Sequence, residues 1–315
     1  MQTLVLALLL AAVFSLFVPS AQNRLQDLLH GKSWLIWAFP FLLTGVFSGT
    51  AALAGAFSVK LVLLVLGYTT APVLCAVLAT QWDRRSSFVV CQPAEGWKGQ
   101  VGDLPHNPPQ PFDFLTILLI WLPLEFAAGG SLVPRAAQGF LHSVAYGIAI
   151  LLALVLFLGF RRLSGLKYNL PRGPRDFWLP LAGFALVAPV LIVLGVAIGF
   201  IPPPHLPVQS GGRMAGALGI IFAGTAVPEE ILFRSLIQNL LMHRFGRTWH
   251  ILLLSSFIFG CAHLDNGPQP LPNWRYMIVA TVAGWAYGKV FERGSTVLSS
   301  AALHTLVDWT KHFFF

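Results

Sequence analysis

Six ionisable residues that could do chemistry lie inside apolar stretches in the last third of the chain. They are Glu229, Glu230 and Arg234 in the apolar segment 214–242, His263 in the next segment, and His304 and Asp308 in the last one. A charged side chain costs a few kcal/mol or more in hydrocarbon, so residues of this kind usually mark function. Before position 200 the apolar segments carry only Glu125 as a comparable residue. The polar chemistry is therefore predicted to be concentrated near the C-terminal end.

Helical spacing assigns different roles to the two adjacent glutamates. Glu230 and Arg234 are four residues apart, so on a helix they share a face and can form an ion pair. Glu229 is rotated from Glu230 by about 100° because an α-helix has 3.6 residues per turn. We therefore expect Glu229 to point away from Arg234 and to be the reactive carboxylate.

The same four-residue spacing recurs in the two later segments. His304 and Asp308 share a helix face, and Phe259 can pack its ring below the imidazole of His263. With a rise of 1.5 Å per residue, counted from neighbouring loops, Glu229, His263 and Asp308 all lie roughly 20 Å deep and His304 roughly 14 Å deep. These four residues could form one site if their helices are neighbours.

A carboxylate and two imidazoles around one water are the components of a hydrolytic site. Glu229 could remove a proton from that water, one histidine could orient it, and the other could stabilise a developing oxyanion. The set Glu229, His263, His304 and Asp308 could instead hold Zn²⁺ or a similar divalent ion with one open position. Both arrangements predict hydrolysis, most naturally of a peptide bond at or within the membrane. The choice between no cofactor and a divalent metal stays open.

The composition predicts which elements must position these residues. The chain of 315 residues is 56% hydrophobic and only 10% charged, and its mean hydropathy is +0.72. Soluble domains are about a quarter charged, so we predict an all-α polytopic membrane helix bundle with roughly 8–10 transmembrane helices. We expect a multi-pass integral protein of a bacterial plasma membrane, with membrane lipid as a partner.

Charge and cysteine usage exclude other classes. The net charge is +8, but no basic run is interleaved with aromatic residues, so nucleic acid is not an expected partner. Basic loops at an anionic membrane face explain the charge better. The three cysteines are far apart and form no CxxC motif, which argues against a disulfide framework.

One long polar stretch divides the chain. Residues 81–111 are rich in proline and glycine and are predicted to be a loop, partly disordered, that ends an N-terminal group of helices at 1–112. Residues 113–315 would then form the transmembrane core, with the reactive motifs within 218–311.

Four glycines precede or lie within the charged segment at short intervals. Small residues at such spacing allow helices to approach closely. We therefore predict close helix packing at Gly212, Gly216, Gly219 and Gly224.

Three short motifs together resemble a known family. EEILFR at 229–234, FGCAH at 259–263 and HTLVD at 304–308 are similar to the signatures EExxxR, FxxxH and HxxxN/D of the CPBP intramembrane proteases. That family includes the type II CAAX prenyl endopeptidases and bacteriocin-processing or immunity proteins. Each motif alone is weak, but the three occur in order and each lies in an apolar segment. The match covers about Leu218 to Lys311.

The resemblance implies a role for each motif residue. Glu229 and His263 would activate the nucleophilic water, and His304 and Asp308 would stabilise the tetrahedral intermediate. Glu230 and Arg234, with Phe259 beside His263, would shape the site. The family resemblance leaves open whether the mechanism uses a metal.

Asp308 departs from the usual pattern of the prenyl endopeptidases, which have asparagine there. An ionised aspartate cannot donate a hydrogen bond to an oxyanion. Asp308 is therefore protonated, or it orients His304, or it is a metal ligand. The substitution weakens the case for prenylated protein substrates and leaves the wider protease family intact.

Other interpretations of the same residues remain. The charges could be a buried structural ion pair beside a protonated acid. The chain could be a non-catalytic immunity protein or chaperone of the same family, or a proton-coupled transporter. A transporter predicts inverted repeats, which the sequence does not show. The expected partner is a peptide or protein substrate, and whether it is lipidated or otherwise anchored to the membrane is open.

Overall fold

The computed structural model describes residues 2–90, 109–267 and 270–315, and all regular structure in these ranges is helical. This confirms the predicted all-α class. Contacts divide the chain into two compact units, residues 1–164 and residues 165–315. The boundary predicted at 112 lies inside the first unit, whereas all six motif charges lie in the second.

The first unit is built from six α-helices in its described residues. They are α1 Gln2–Ser15, α2 Pro19–Gly31, α3 Ala38–Leu53, α4 Val59–Val90, α5 Pro111–Glu125 and α6 Arg135–Leu154. Short 3₁₀ turns lie at Ser33–Trp37 and Gly130–Leu132, and a π-helical segment at Val155–Phe160 continues α6. The prediction of a loop at 81–111 is wrong at both ends. Residues 81–90 extend α4, and α5 begins at Pro111. Residues 91–108 lie outside the described part of the chain.

A charged cluster is buried in the first unit, where the sequence analysis expected none. Arg161 donates to both carboxylate oxygens of Asp113 at 2.8 and 2.7 Å and also bonds Asp83. All three side chains are at most 5% exposed. Burial opposes the charge of Arg161, but its hydrogen bonds with Asp113 and Asp83 hold its pKa above the usual value. The cluster ties α4, the start of α5 and the end of the α6 segment together.

The second unit contains seven α-helices in its described residues. They are α7 Arg175–Ala197, α8 Gly211–Ile221, α9 Val227–Glu230, α10 Asn239–Phe245, α11 Trp249–Cys261, α12 Trp274–Arg293 and α13 Val297–Phe314. Two π-helical segments, Phe222–Ala226 and Ile231–Gln238, join α8, α9 and α10 into one continuous run. α13 packs against this run and against α7 and α12, so the last motif is brought beside the first.

Five helices in the described residues are long and apolar enough to cross a membrane, or six if the bent pair α1–α2 is one span. This number is smaller than the 8–10 predicted. Helices α5 and α11 have only 15 and 13 residues, whereas a span needs about 20. The chain is an integral membrane protein, but several of its apolar segments are too short or too polar to count as spans by length and composition.

The turn between α12 and α13 is anchored by the half-buried Lys167 and the buried Asp176. Lys167 donates to the carbonyls of Phe291, Glu292 and Gly294 at 2.6, 3.0 and 2.9 Å. Asp176, at the start of α7, accepts from the backbone N–H of Ser295 at 2.7 Å. These bonds satisfy backbone groups at helix ends and fix where α13 begins. Because these bonds fix the start of α13, they also fix where His304 lies along this helix.

Close helix packing does not occur at the four glycines for which it was predicted. At each of Gly212, Gly216, Gly219 and Gly224 an added Cβ would meet nothing within 4 Å. Close approach occurs instead at glycines of α11 and α12. An added Cβ at Gly260 would lie 2.6 Å from the carbonyl oxygen of Met277, and one at Gly284 would lie 2.9 Å from the ring of Phe259. The small residues of α12 therefore let it pack directly onto α11.

Candidate active site

Glu229 and Glu230 lie on a single α-helical turn between two π-helical segments. Pro228 has no N–H, so the usual hydrogen bond to the carbonyl of Gly224 cannot form, and the backbone pattern changes near this point. Short π-helical segments are rare and occur often at functional sites. The backbone irregularity therefore coincides with the two glutamates.

His304 is the centre of the polar cluster. Its Nδ1 lies 3.1 Å from Oε1 of Glu230. Its Nε2 lies 3.4 Å from Oδ2 of Asp308 and 3.8 Å from Oε2 of Glu229. The imidazole is 3% exposed, so these three carboxylates form its polar surroundings. The structure therefore brings the first and last motifs into one site.

Glu230 and Arg234 form the ion pair that their spacing predicts. Arg234 Nε donates to Oε2 of Glu230 at 3.2 Å, and both side chains are fully buried. The guanidinium carbon lies 4.9 Å from the ring centre of Phe259 and 5.9 Å from that of Tyr287. Glu230 thus holds Arg234 with one oxygen and His304 with the other. Glu230 therefore does more than neutralise Arg234, because it also orients the imidazole of His304.

His263 is held by its own helix. Its Nδ1 lies 2.9 Å from the carbonyl oxygen of Phe259, which can only accept, so Nδ1 carries a proton and donates. In the neutral ring Nε2 then carries the lone pair. The ring centres of Phe259 and His263 are 4.7 Å apart, as the four-residue spacing predicts.

Phe259 joins the two histidines. Its ring stands perpendicular to that of His304, with the centres 5.7 Å apart, while it also packs on His263. Only 1% of Phe259 is exposed, so the ring fills the space between α11, α12 and α13. The middle motif thus meets the other two through an aromatic side chain.

Exposure separates the site into two layers. Glu229 and Asp308 are 22% and 29% exposed, whereas Glu230 and Arg234 are inaccessible. A cavity of 790 Å³ opens beside this accessible layer. Its lining residues include Phe200, Ile221, Thr225, Tyr276, Asp308 and Lys311. Because Asp308 lines the cavity, the cavity opens onto the polar cluster.

Two aromatic residues of the site were not found from the sequence. Tyr287 stacks on His304 with the ring centres 4.6 Å apart and an angle of 20° between the planes. Tyr276 stands edge-on to His263 at 4.5 Å and lines the cavity. The available signal was the spacing of Gly284, Tyr287 and Gly288 on α12, which is typical of a close-packed helix face.

The possible metal ligands of the site are its two histidines and its carboxylates. Within 2–90, 109–267 and 270–315, no group of three histidine, cysteine, aspartate or glutamate residues has a geometry that could hold a metal ion. Nδ1 of His304 is bonded to Glu230, and Nδ1 of His263 to a carbonyl. Histidines that bind a metal through Nε2 commonly have such bonds at Nδ1, so these bonds do not exclude a metal.

Residues 212–310 match the family described as type II CAAX prenyl endopeptidase Rce1-like. The matched segment contains all three motifs and every residue of the polar cluster described above. No curated protein and no solved structure matches the chain. The match confirms the family resemblance on which the sequence analysis rested, and it does so for the segment that builds the site.

Proposed function

We propose, with residues 212–310 identified as an Rce1-like domain, that the protein is an intramembrane endopeptidase that hydrolyses a peptide bond with an activated water. The observation that carries the proposal is the position of Nε2 of His304 between the carboxylates of Glu229 and Asp308, at the edge of a large cavity. An accessible carboxylate beside an imidazole is the minimum needed to activate water and to stabilise an oxyanion.

The gap between Glu229 and His304 suits one water molecule. Oε2 of Glu229 and Nε2 of His304 are 3.8 Å apart. This distance is too long for a direct hydrogen bond but shorter than two hydrogen bonds of about 2.8 Å placed end to end. A single water can therefore contact both atoms. Glu229 accepts its proton while the water oxygen attacks the carbonyl carbon of the substrate.

The remaining polar residues serve the intermediate and the leaving group. His304, doubly protonated, donates from Nε2 to the oxyanion while Nδ1 donates to Glu230. Asp308, 3.4 Å from Nε2, orients the ring, which is one of the three roles that the sequence left open. The proton taken by Glu229 passes to the amide nitrogen, the C–N bond breaks, and an acid and an amine are released. As the family resemblance implies, His263 would assist Glu229 in activating the water through its unprotonated Nε2.

We also propose that the reaction needs no metal. The support is the position of His304 among the carboxylates of Glu229, Glu230 and Asp308, which favours a doubly protonated ring without a lone pair for a metal. Hydrolysis should then persist in a chelator. The substrate class is a peptide or protein segment anchored in or at the membrane, with or without a lipid.

The purified protein in lipid nanodiscs tests the proposal with a mixture of membrane-anchored peptides in H₂¹⁸O. Mass spectrometry should find new peptide C-termini that carry one ¹⁸O, equally with and without EDTA. His304→Ala should abolish these products. Binding of peptides without any cleavage would reject the endopeptidase and favour the non-catalytic alternative. Loss of cleavage in EDTA that zinc restores would reject the metal-free mechanism.

A further inference from the structure

Lys311 is a cation in the cavity beside the site that the reaction described above does not use. It lies on α13, one helical turn beyond Asp308, and both residues line the 790 Å³ cavity. Its Nζ lies 4.0 Å from the ring centre of Tyr276 and 4.8 Å from that of Phe200. The two aromatic faces hold the ammonium at the cavity wall.

Lys311 forms no close ion pair in the part of the chain that the structure describes, although Asp308 is near enough to attract it. No carboxylate there lies within 4.0 Å of its Nζ, and no hydrogen bond engages it. Asp308 is the nearest acid along the helix, but its carboxylate lies against His304 at 3.4 Å. A half-buried ammonium at a cavity wall, without a close ion pair, can form a charge-assisted hydrogen bond with an anion that enters the cavity.

A purely structural explanation for Lys311 is its position in the last turns of α13. Cations are favoured there by the helix dipole, by about 0.3–1 kcal/mol at exposed sites. A lysine placed for that reason would extend into solvent or to a headgroup. Lys311 instead lies over two aromatic rings at the wall of the cavity that Asp308 also lines.

We propose that Lys311, held by Tyr276 and Phe200, is a subsite that binds a carboxylate of the substrate. This inference rests on the proposed function, since it assumes that the cavity takes the peptide that is cleaved. The carboxylate belongs either to the free C-terminus of the substrate or to an Asp or Glu side chain near the scissile bond. Lys311 would then select among membrane peptides rather than take part in bond cleavage.

The test measures the binding of peptides to a variant of the protein that is expected not to cleave them. Glu229→Gln protein in nanodiscs is mixed with N-acylated peptides of random sequence, made both as C-terminal acids and as C-terminal amides. Retained peptides are identified by mass spectrometry. We expect carboxylate-bearing peptides to be enriched roughly tenfold or more, as a charge-assisted hydrogen bond allows. Acids enriched over amides identify the C-terminus, and amides rich in Asp or Glu identify the side chain.

Variants of Lys311 separate charge recognition from folding. Lys311→Gln in the same background should lose the enrichment, Lys311→Arg should keep it, and Lys311→Glu should select peptides rich in Lys or Arg, which a misfolded protein cannot do. Equal retention of carboxylate-bearing and neutral peptides, or unchanged enrichment in Lys311→Gln, would overturn the proposal. Cleavage by the wild-type protein is assayed separately. Enrichment that depends on Lys311 without any cleavage would therefore reject the endopeptidase and keep the subsite.

Discussion

Neighbouring glutamates at 229 and 230 have opposite environments, and this difference organises the site. Glu230 is inaccessible and bonded to both Arg234 and His304, whereas 22% of Glu229 faces the accessible side. A buried carboxylate with two partners is suited to hold groups in place. An accessible one beside an imidazole is suited to take a proton.

Glu230→Gln tests the supporting role at the residue scale. The change removes the charge that Arg234 and His304 need, and an uncompensated buried charge typically costs about 3–5 kcal/mol. We expect a clear loss of thermal stability together with loss of cleavage, measured on protein in nanodiscs.

The matched control is Glu292→Gln. Glu292 is 23% exposed and pairs with Lys289, which is 31% exposed, so its removal should cost about 1 kcal/mol or less. Equal stability of Glu230→Gln and Glu292→Gln would contradict the role assigned to Glu230.

Sequence spacing predicted the contacts that form within one helix, but not which atoms meet between helices. The pairs Glu230–Arg234, His304–Asp308 and Phe259–His263 all follow from four-residue spacing. The contact of Glu230 with His304 joins residues 74 positions apart, and its geometry depends on how α13 packs against the π-helical run. No local pattern contains that information.

At the scale of elements, the site depends on how closely α12 approaches α11 and the charged run. Gly284 faces Phe259 and Arg234, and Gly288 faces Leu252 and Gln238, in each case at distances that leave no room for a Cβ. The glycines predicted from the sequence lie instead on α8 and the π-helical segment that follows it, where the space is open. Small residues show that close approach is possible, but only the packed structure shows where it happens.

Gly284→Ala tests this packing. The added methyl would lie 2.9 Å from the Phe259 ring and 3.3 Å from Nη2 of Arg234, so either side chain or helix must move. Overpacking of this kind costs about 1–3 kcal/mol. We expect a lower melting temperature and a lower cleavage rate.

Gly216→Ala is the control, because an added Cβ there meets nothing within 4 Å. Alanine is the better helix former by about 1 kcal/mol, so this variant should be as stable as the wild type or more stable. A Gly284→Ala protein that behaves like Gly216→Ala would show that the close approach of α12 is not needed.

At the scale of the molecule, the two units are each held by buried charges, although only those of the second unit were expected. The motifs drew attention to the C-terminal segments because their charges lie in apolar runs. Asp83 lies within the stretch 81–111 that was predicted to be a loop, Asp113 lies just after it, and Arg161 lies in a basic segment. Their burial follows from the extension of α4 and the start of α5, which the sequence did not predict.

Asp113→Ala tests the role of this cluster in the first unit. The variant leaves Arg161 buried with only Asp83 as a charged partner and removes two hydrogen bonds. Breaking a buried ion pair costs about 3–5 kcal/mol, so we expect a marked loss of thermal stability.

Asp27→Ala changes an exposed aspartate in the same unit and should leave the melting temperature nearly unchanged. If Asp113→Ala unfolds at the same temperature as Asp27→Ala, the cluster does not stabilise the first unit.

The central claim, that Glu229 activates the water that cleaves the peptide bond, is tested most directly by the rate of peptide cleavage in Glu229→Gln. The control is Glu292→Gln, which makes the same change at a carboxylate of nearly equal exposure, 23% against 22%. Loss of a general base lowers rates about 10²–10⁴-fold. We predict a fall of at least about 100-fold in kcat for Glu229→Gln with an unchanged melting temperature, and no fall for Glu292→Gln. Cleavage by Glu229→Gln at the rate of the control would contradict the account.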